Sequence, residues 1–165
     1  MEKVTNSKNI KIIDMEITIK RTETNKAYTS GTLYANGKAV AHYTLEYTRC
    51  MLPAGTYQAV LVNDPKMQRR QIAIVADDCD TTVDSPHIMA TLTNGNSYRN
   101  VKDTPNVVIG EKLIPGVVVS SRKVFDRLFD RIEKCVARGE RITLHVTDNA
   151  MTERQVPTFW LVPNN

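Results

Sequence analysis

Apolar and polar positions alternate along most of the chain, which is the period of a β-strand with one buried face. In the segment IDMEITIKRT the apolar side chains recur at every second position: Ile13, Met15, Ile17 and Ile19. The segments GTLYANGKAVAHYTLEY, GTYQAVLV, QIAIV and RITLHVTD predict further strands. Within the first of these, Asn36-Gly37 separates two β-favouring runs and predicts a tight hairpin turn.

One segment, SSRKVFDRLFDRIEKCVARGE, has the helical period instead. Its apolar side chains recur at three- and four-residue spacings: Val124, Phe125, Leu128, Phe129, Ile132, Cys135 and Val136. We expect a helix over about 121–138, capped by Ser120 or Ser121 and ended by Gly139. The predicted fold class is mostly β (α+β): a single compact sheet or barrel-like domain over 10–165 with one long helix, after a flexible tail over 1–9.

Composition narrows the class of protein. The chain has 165 residues, of which 41% are hydrophobic and 24% charged, as in an ordinary soluble domain. No apolar run approaches the ~20 residues of a membrane span, and no signal peptide is evident, so we expect a cytoplasmic protein without membrane partners. A net charge of +4 favours anionic partners. Cys50, Cys79 and Cys135 are odd in number and widely spaced, which favours buried free thiols.

A longer pattern joins several motifs in order. The segment SGTLYANGKAVAHYTLEYTRCMLPAGTYQAVL contains Thr-Leu-Glu and then Pro-Ala-Gly-Thr-Tyr. TNGN, KDTPNVVIG and SSRKVFDRL follow at 93–96, 102–110 and 120–128. Over residues 13–146 this order resembles a family borne by phages and bacteria, domain of unknown function 5675.

The resemblance implies a site that has lost its catalytic residues. The family pattern has a His and a Gly-Cys, which resemble the base and nucleophile of cysteine transpeptidases that act on peptidoglycan. In this chain the His position is Thr93 and the Cys position is Asn106 or Val107. Neither replacement supplies a base or a nucleophile, and Cys79 lies outside the motif. We therefore expect a non-catalytic scaffold that keeps its cleft and has no cofactor.

The predicted helix start is the main candidate for an anion site. Ser120, Ser121, Arg122 and Lys123 add hydroxyls and cations where free backbone N–H groups attract phosphate. A plain serine cap with solvated charges is the alternative interpretation. The remaining candidates for ligand contacts are Thr93, Asn94, Asn96, Asn106 and Arg49. The expected ligand is an anionic small molecule such as a cyclic dinucleotide or an ADP-ribose-type nucleotide, and the phage context suggests a sponge that sequesters a host immune signal.

Two other functions stay open. His42 with Thr44 and His145 with Thr147 form two His-x-Thr pairs, which resemble the signature of 2H phosphoesterases. In that family two imidazoles act as acid and base on a phosphodiester without a metal. Exposed strand residues are the alternative interpretation of both pairs. The third function is a peptidoglycan- or virion-associated module that binds without cutting.

Several features carry weaker signals. The acidic segment DDCD with Asp84 lacks the Gly and the distal Glu of a calcium loop, so no metal is expected. The basic segment KMQRR has no interleaved aromatic residues, which makes nucleic acid an unexpected partner. A homo-oligomer is left open. The tyrosines that would stack a base if they lined the cleft are Tyr43, Tyr47, Tyr57 and Tyr98.

Overall fold

The computed structural model describes residues 14–64, 69–82, 86–100 and 105–151. In chain order its strands and α-helix are β1 Met15–Thr24, β2 Tyr28–Ala35, β3 Lys38–Tyr47, β4 Gly55–Asp64, β5 Arg69–Ala76, β6 Ala90–Thr93, β7 Asn106–Ile114, β8 Val117–Val119, α1 Ser121–Ala137 and β9 Ile142–Met151. A short 3-10 helix spans Tyr98–Asn100. The described part of the chain is therefore mostly β with one long helix, which confirms the predicted fold class.

Eight of the strands close into a barrel. Their order around the ring is β1-β2-β3-β7-β6-β5-β4-β9, and β9 returns to β1. The closing pair is parallel, with Ile142 opposite Met15, because the chain crosses over through α1 before it enters β9. On the far side β7 pairs antiparallel with β3, with Val108 opposite Leu45. Closure leaves no strand edge of the ring open, and β8 folds back on β7 outside the ring.

The Asn36-Gly37 turn has the predicted hairpin geometry. Both residues have positive φ, 49° and 85°, which the two central positions of a type I′ turn require. Ala35 pairs with Lys38 across this turn. The hairpin lies at the barrel end where β1 begins, since the Asn36 side chain accepts a hydrogen bond from the Glu16 N–H at 2.9 Å.

The helix lies across that same end and fills it. It contacts β3 and β7 on one side of the ring and β4 and β9 on the opposite side. Leu128 and Ile132 are completely buried in the barrel core. The helix ends as predicted at Gly139, whose φ is 76°. The N–H of Gly139 donates to Val136 and that of Glu140 to Cys135, which is a complete Schellman motif.

The other barrel end is closed by the chain itself. Leu52, in the connection between β3 and β4, is 1% exposed and belongs to the core. Beside it Arg21 and Glu46 form a buried bidentate ion pair, with N–O distances of 2.9 and 2.8 Å. A third Arg21 N–H, also on Nη2, donates to the carbonyl of Leu52. The interior of this end is therefore polar and fixed by charge-assisted hydrogen bonds.

Three expectations concern residues at the margins of the structure. The predicted tail over 1–9 and the last segment from 152 onward lie outside the described residues. The basic segment KMQRR is described in part, since 65–68 are outside the described ranges. Within those ranges no helix has both the length and the apolar character that crossing a bilayer needs.

Candidate functional site

A recess lies at the rim of the barrel end opposite the Asn36-Gly37 hairpin. It is a cleft of about 530 Å³, open to solvent on one side. The described residues that line it are Lys26, Ala27, Tyr47, Arg49, Tyr98 and Arg99. Three of them are cations, two are tyrosines, and none is acidic. We refer to this feature as the tyrosine–arginine cleft.

Local hydrogen bonds shape two loops of the cleft. The Asn25 side chain accepts from the N–H groups of Ala27 and Tyr28, at 2.8 and 3.0 Å, which forms an Asx turn around Lys26. The Ala27 carbonyl then accepts from the Thr48 N–H at 3.2 Å. This contact joins the β1–β2 turn to the loop after β3, so that Lys26 and Arg49 border the same cleft.

The third loop is the 3-10 turn that carries Tyr98 and Arg99. The Ser97 hydroxyl accepts from the Arg99 N–H at 3.2 Å and fixes the start of the turn. Tyr98 stacks on two tyrosines of the neighbouring strands, with ring centroids 5.6 Å from Tyr28 and 6.1 Å from Tyr47. Tyr28 and Tyr47 are themselves opposite each other in the β2–β3 pair. Three separate parts of the chain thus build one aromatic wall.

The electrostatics of the cleft favour an anion. Lys26, Arg49 and Arg99 are exposed and form no ion pair with a described residue. The Arg99 guanidinium lies 5.7 Å from the centre of the Tyr98 ring. Like charges that share one cleft repel each other, and a bound anion would relieve that repulsion. Burial raises the pKa of Tyr28 at the back of the aromatic wall, so its phenol stays neutral and adds no negative charge at ordinary pH.

The helix start differs from the predicted anion site. Ser120 has a left-handed φ of 55° and makes no side-chain cap hydrogen bond. Ser121 is buried, donates to the Ile109 carbonyl and accepts from the Gly95 N–H at 3.0 Å. Its hydroxyl therefore joins the helix to β7 and to the loop after β6. Arg122 and Lys123 are exposed and have no ion pair among the described residues.

The structure divides the other predicted ligand residues between different places. Thr93 and Asn94 lie beside the helix start, since the next residue, Gly95, donates to Ser121, and the Thr93 hydroxyl donates to the Asn94 carbonyl at 3.2 Å. Asn96 is one step further along, and its carbonyl accepts from the Val118 N–H at 2.9 Å. Asn106 opens β7, where its side-chain oxygen accepts from the Thr91 hydroxyl. Of the predicted set, only Arg49 lines the tyrosine–arginine cleft.

The family resemblance assigns a cysteine to position 106 or 107, and the second of these lies in the core. Val107 is 1% exposed and packs among the apolar residues of the barrel. Leu92 is its partner on β6. A side chain at 107 thus has no access to a peptide substrate.

The two histidines do not face each other. His42 is on β3, 67% exposed, with its Nδ1 3.2 Å from Glu111. His145 is on β9, with its Nδ1 3.3 Å from the Thr56 hydroxyl. β1 and β2 lie between these strands, so three strand spacings, about 14 Å, separate the two side chains even before their offset along the strands. The expectation that both imidazoles flank one phosphodiester is wrong for this geometry.

The first His-x-Thr pair is also split by the strand itself. Between the pairs Leu33–Ala41 and Gly31–Thr44, one residue of β2 faces two of β3, which is a β-bulge. The bulge reverses the alternation, so that His42 is exposed while Thr44 is completely buried. The side-chain oxygen of Thr44 has no hydrogen-bond partner among the described residues. The rule that residues i and i+2 share a face fails here, whereas His145 and Thr147 do lie opposite the buried Ile142, Leu144 and Val146.

The remaining candidates from the sequence are the three cysteines and the acidic segment DDCD. All three thiols are free, but only Cys135 is buried and Cys50 and Cys79 are half-buried, so the prediction of three buried thiols is right for one. The Asp80 carboxylate accepts from the N–H and hydroxyl of Thr82, which lowers its pKa. Asp84 lies outside the described residues. In the described ranges no group of three or more His, Cys, Asp or Glu side chains is arranged to hold a metal ion.

Sequence reasoning named Tyr47, Arg49 and Tyr98 as possible ligand contacts but did not place them together, and it missed Lys26 and Arg99. Lys26, Arg49 and Arg99 come from three loops that are distant along the chain, and no spacing rule links them. The one available signal is Tyr98-Arg99, an aromatic residue next to a cation in a loop. Comparison of the chain with protein-family models, curated proteins and solved structures found no match in any of the three.

Proposed function

We propose that the protein binds an anionic, aromatic small molecule of the nucleotide class in the tyrosine–arginine cleft and holds it without cleaving it. The observation that carries this proposal is the composition of the cleft: three cations and two tyrosines, with no acidic residue among the described lining.

The charges support a ligand with more than one negative charge. Lys26, Arg49 and Arg99 approach the cleft from three loops, so a diphosphate or a phosphodiester pair matches them better than a single phosphate does. A charge-assisted hydrogen bond contributes ~1.5–3 kcal/mol, which is roughly ten- to a hundred-fold in affinity. Cyclic dinucleotides and ADP-ribose-type nucleotides both carry two phosphate charges.

The tyrosines support a ligand with a flat ring. Tyr98 is half-buried, and its ring stacks on those of Tyr28 and Tyr47. Stacking of a base on such a ring contributes ~1–3 kcal/mol and needs no hydrogen-bond code. The volume of about 530 Å³ is within the usual range of small-molecule sites, ~300–1,000 Å³.

The side chains that line the cleft support binding of the ligand without cleavage. Hydrolysis of a phosphodiester needs a general base and a general acid in reach of the reacting oxygens. The described lining contains no carboxylate and no imidazole, and His42 and His145 are on other parts of the barrel. Together with the resemblance to a phage-borne family, binding without turnover supports a sponge that sequesters a host nucleotide signal.

Isothermal titration calorimetry with cyclic dinucleotides, ADP-ribose and adenosine tests this function. We expect the phosphorylated ligands to bind, adenosine to bind at least a hundred-fold more weakly, and mass spectrometry to recover the ligand intact. Arg49→Ala and Tyr98→Ala should each weaken binding about ten- to a hundred-fold. Arg70→Ala is the matched control, because it removes a cation that pairs with Glu133 away from the cleft.

Three results would contradict the proposal. Cleaved ligand would show an enzyme. Parent-like binding by both Arg49→Ala and Tyr98→Ala would place the ligand elsewhere, and a loss in the double variant Arg122→Ala/Lys123→Ala would then place it at the helix start. A response to muropeptides but to no nucleotide would favour a wall-binding module.

A further inference from the structure

Apart from Arg122, the charged side chains of α1 and of its C-cap residue Arg138 are sorted by sign around the helix axis. One side carries the cations Lys123, Arg127, Arg131, Lys134 and Arg138, which we name the basic row. At 100° per residue these five positions fall within an arc of about 80°. Asp126, Asp130 and Glu133 fall on the adjoining arc, and the apolar face is on the side turned to the barrel.

The basic row is long, exposed and largely unpaired. From Lys123 to Arg138 it extends about 22 Å along the helix, at a rise of ~1.5 Å per residue. All five side chains are exposed. Among described partners only Arg138 forms an ion pair, with Glu140 at 2.6 Å. Asp130 stands four residues before Lys134, a spacing that permits an i,i+4 pair, but no ion pair forms between them.

A recess continues the row at its C-terminal end. Arg131, Lys134 and Arg138 line a hollow of about 370 Å³ between the helix and the Asn36-Gly37 hairpin. The one carboxylate in its described lining, Glu140, is held by Arg138. This hydrogen bond lowers the pKa of Glu140, so the carboxylate stays ionised and occupied by its partner. The other two cations are left for an external anion.

We propose that the basic row binds the phosphate backbone of duplex nucleic acid without reading its sequence. Cations that repeat every three or four residues, about 5–6 Å apart, suit a polymer with regularly spaced charge better than a compact ligand. An acidic protein partner would need apolar or aromatic anchors at the centre of its interface, and the row has none. A single strand would need rings for base stacking, and these are absent from the row.

This surface is separate from the tyrosine–arginine cleft, which lies at the opposite barrel end, and it does not depend on the function proposed for the cleft. None of its five cations belongs to the segment KMQRR, whose lack of aromatic residues argued against nucleic acid. Aromatic residues serve to stack the bases of a single strand, whereas a contact with the backbone of a duplex does not need them.

Fluorescence anisotropy with a labelled 20-base-pair duplex, in two unrelated sequences, tests the proposal. The logarithm of the binding constant should fall linearly with the logarithm of the salt concentration, with a slope of about −3.6 to −4.5 for four or five phosphate contacts. The double variant Arg127→Ala/Arg131→Ala should reduce this slope by about 1.8. Alanine is a strong helix former, so the variant should keep the helix, which circular dichroism verifies.

The matched control is Lys20→Ala/Arg122→Ala, which lowers the net charge equally but removes cations outside the row. It should keep the parent slope. An equal loss of slope in both double variants would overturn the proposal, because binding would then follow net charge alone. Polyglutamate that competes as well as unlabelled duplex at equal charge would overturn the assignment to nucleic acid, and so would a tenfold preference for one of the two sequences.

Discussion

The ion pair between Arg21 and Glu46 gives the sharpest test of how this barrel is held together. Both side chains are 1% exposed, and Glu46 accepts two N–H groups from the guanidinium. The same guanidinium donates to Leu52, whose side chain closes the barrel end. Glu46→Leu would therefore leave a buried cation with the Leu52 carbonyl as its one remaining hydrogen-bond acceptor among the described residues.

The expected cost is large because the remaining charge cannot reach water. Breaking a buried pair by removal of one partner costs ~3–5 kcal/mol. With a urea m-value of ~2 kcal/mol/M, the unfolding midpoint should fall by roughly 1.5–2.5 M. The double variant Arg21→Met/Glu46→Leu removes both charges and should recover most of this loss, since apolar replacements of a whole buried pair are often neutral or better. What it does not recover is the hydrogen bond to Leu52, ~1–3 kcal/mol.

Urea unfolding followed by far-ultraviolet circular dichroism measures these differences. Arg70→Ala is the control, because its ion pair with Glu133 is about 40% exposed and surface pairs contribute only ~0–1 kcal/mol. A midpoint shift below 0.5 M for Glu46→Leu, or a double variant less stable than the single one, would refute the reasoning. In the proposed function, the single variant should also weaken nucleotide binding, because Glu46 is next to Tyr47 and three residues before Arg49.

Two further predictions concern close packing and thiol access. Gly110→Ala should lower the free energy of unfolding by ~1–3 kcal/mol, because an added Cβ would lie 2.8 Å from the Val119 carbonyl oxygen, and thermal melting measures the loss. A parent-like melting temperature would show that β8 can move aside. In the folded protein at pH 8, a disulfide reagent should label Cys50 and Cys79 but label Cys135 only after unfolding, because burial raises the pKa of the Cys135 thiol and blocks access; three thiols labelled at equal rates would contradict this.

The regular parts of the fold were predictable because their signals are local. The helical spacing of apolar residues predicts a helix over about 121–138, and the preference of Asn-Gly for tight turns predicts the hairpin at Asn36-Gly37. Both are present. Closure of the barrel was only loosely predictable, since it depends on the pairing of β9 with β1 across more than 120 residues. No local pattern in the sequence specifies which two strands will meet.

The candidate site was less predictable for a related reason. The helix start satisfies every local rule for an anion site, yet Ser121 is occupied by the Ile109 carbonyl and the Gly95 N–H. The Ser121 hydroxyl is therefore engaged in contacts that hold the helix to the barrel. The tyrosine–arginine cleft has no local sequence pattern. Its lining residues come together only where three loops meet at one rim of the barrel.

One irregularity both separates His42 from Thr44 and shapes the cleft. If β3 alternated without interruption from Ala41, which belongs to the core, then Tyr43, Leu45 and Tyr47 would point inward with it, and Glu46 would point outward. The bulge at His42 reverses every face after it. Glu46 therefore turns inward to Arg21, and Tyr47 turns outward to stack on Tyr98. The insertion that separates His42 from Thr44 is thus the feature that supplies the cleft with its aromatic wall and anchors the loop carrying Arg49.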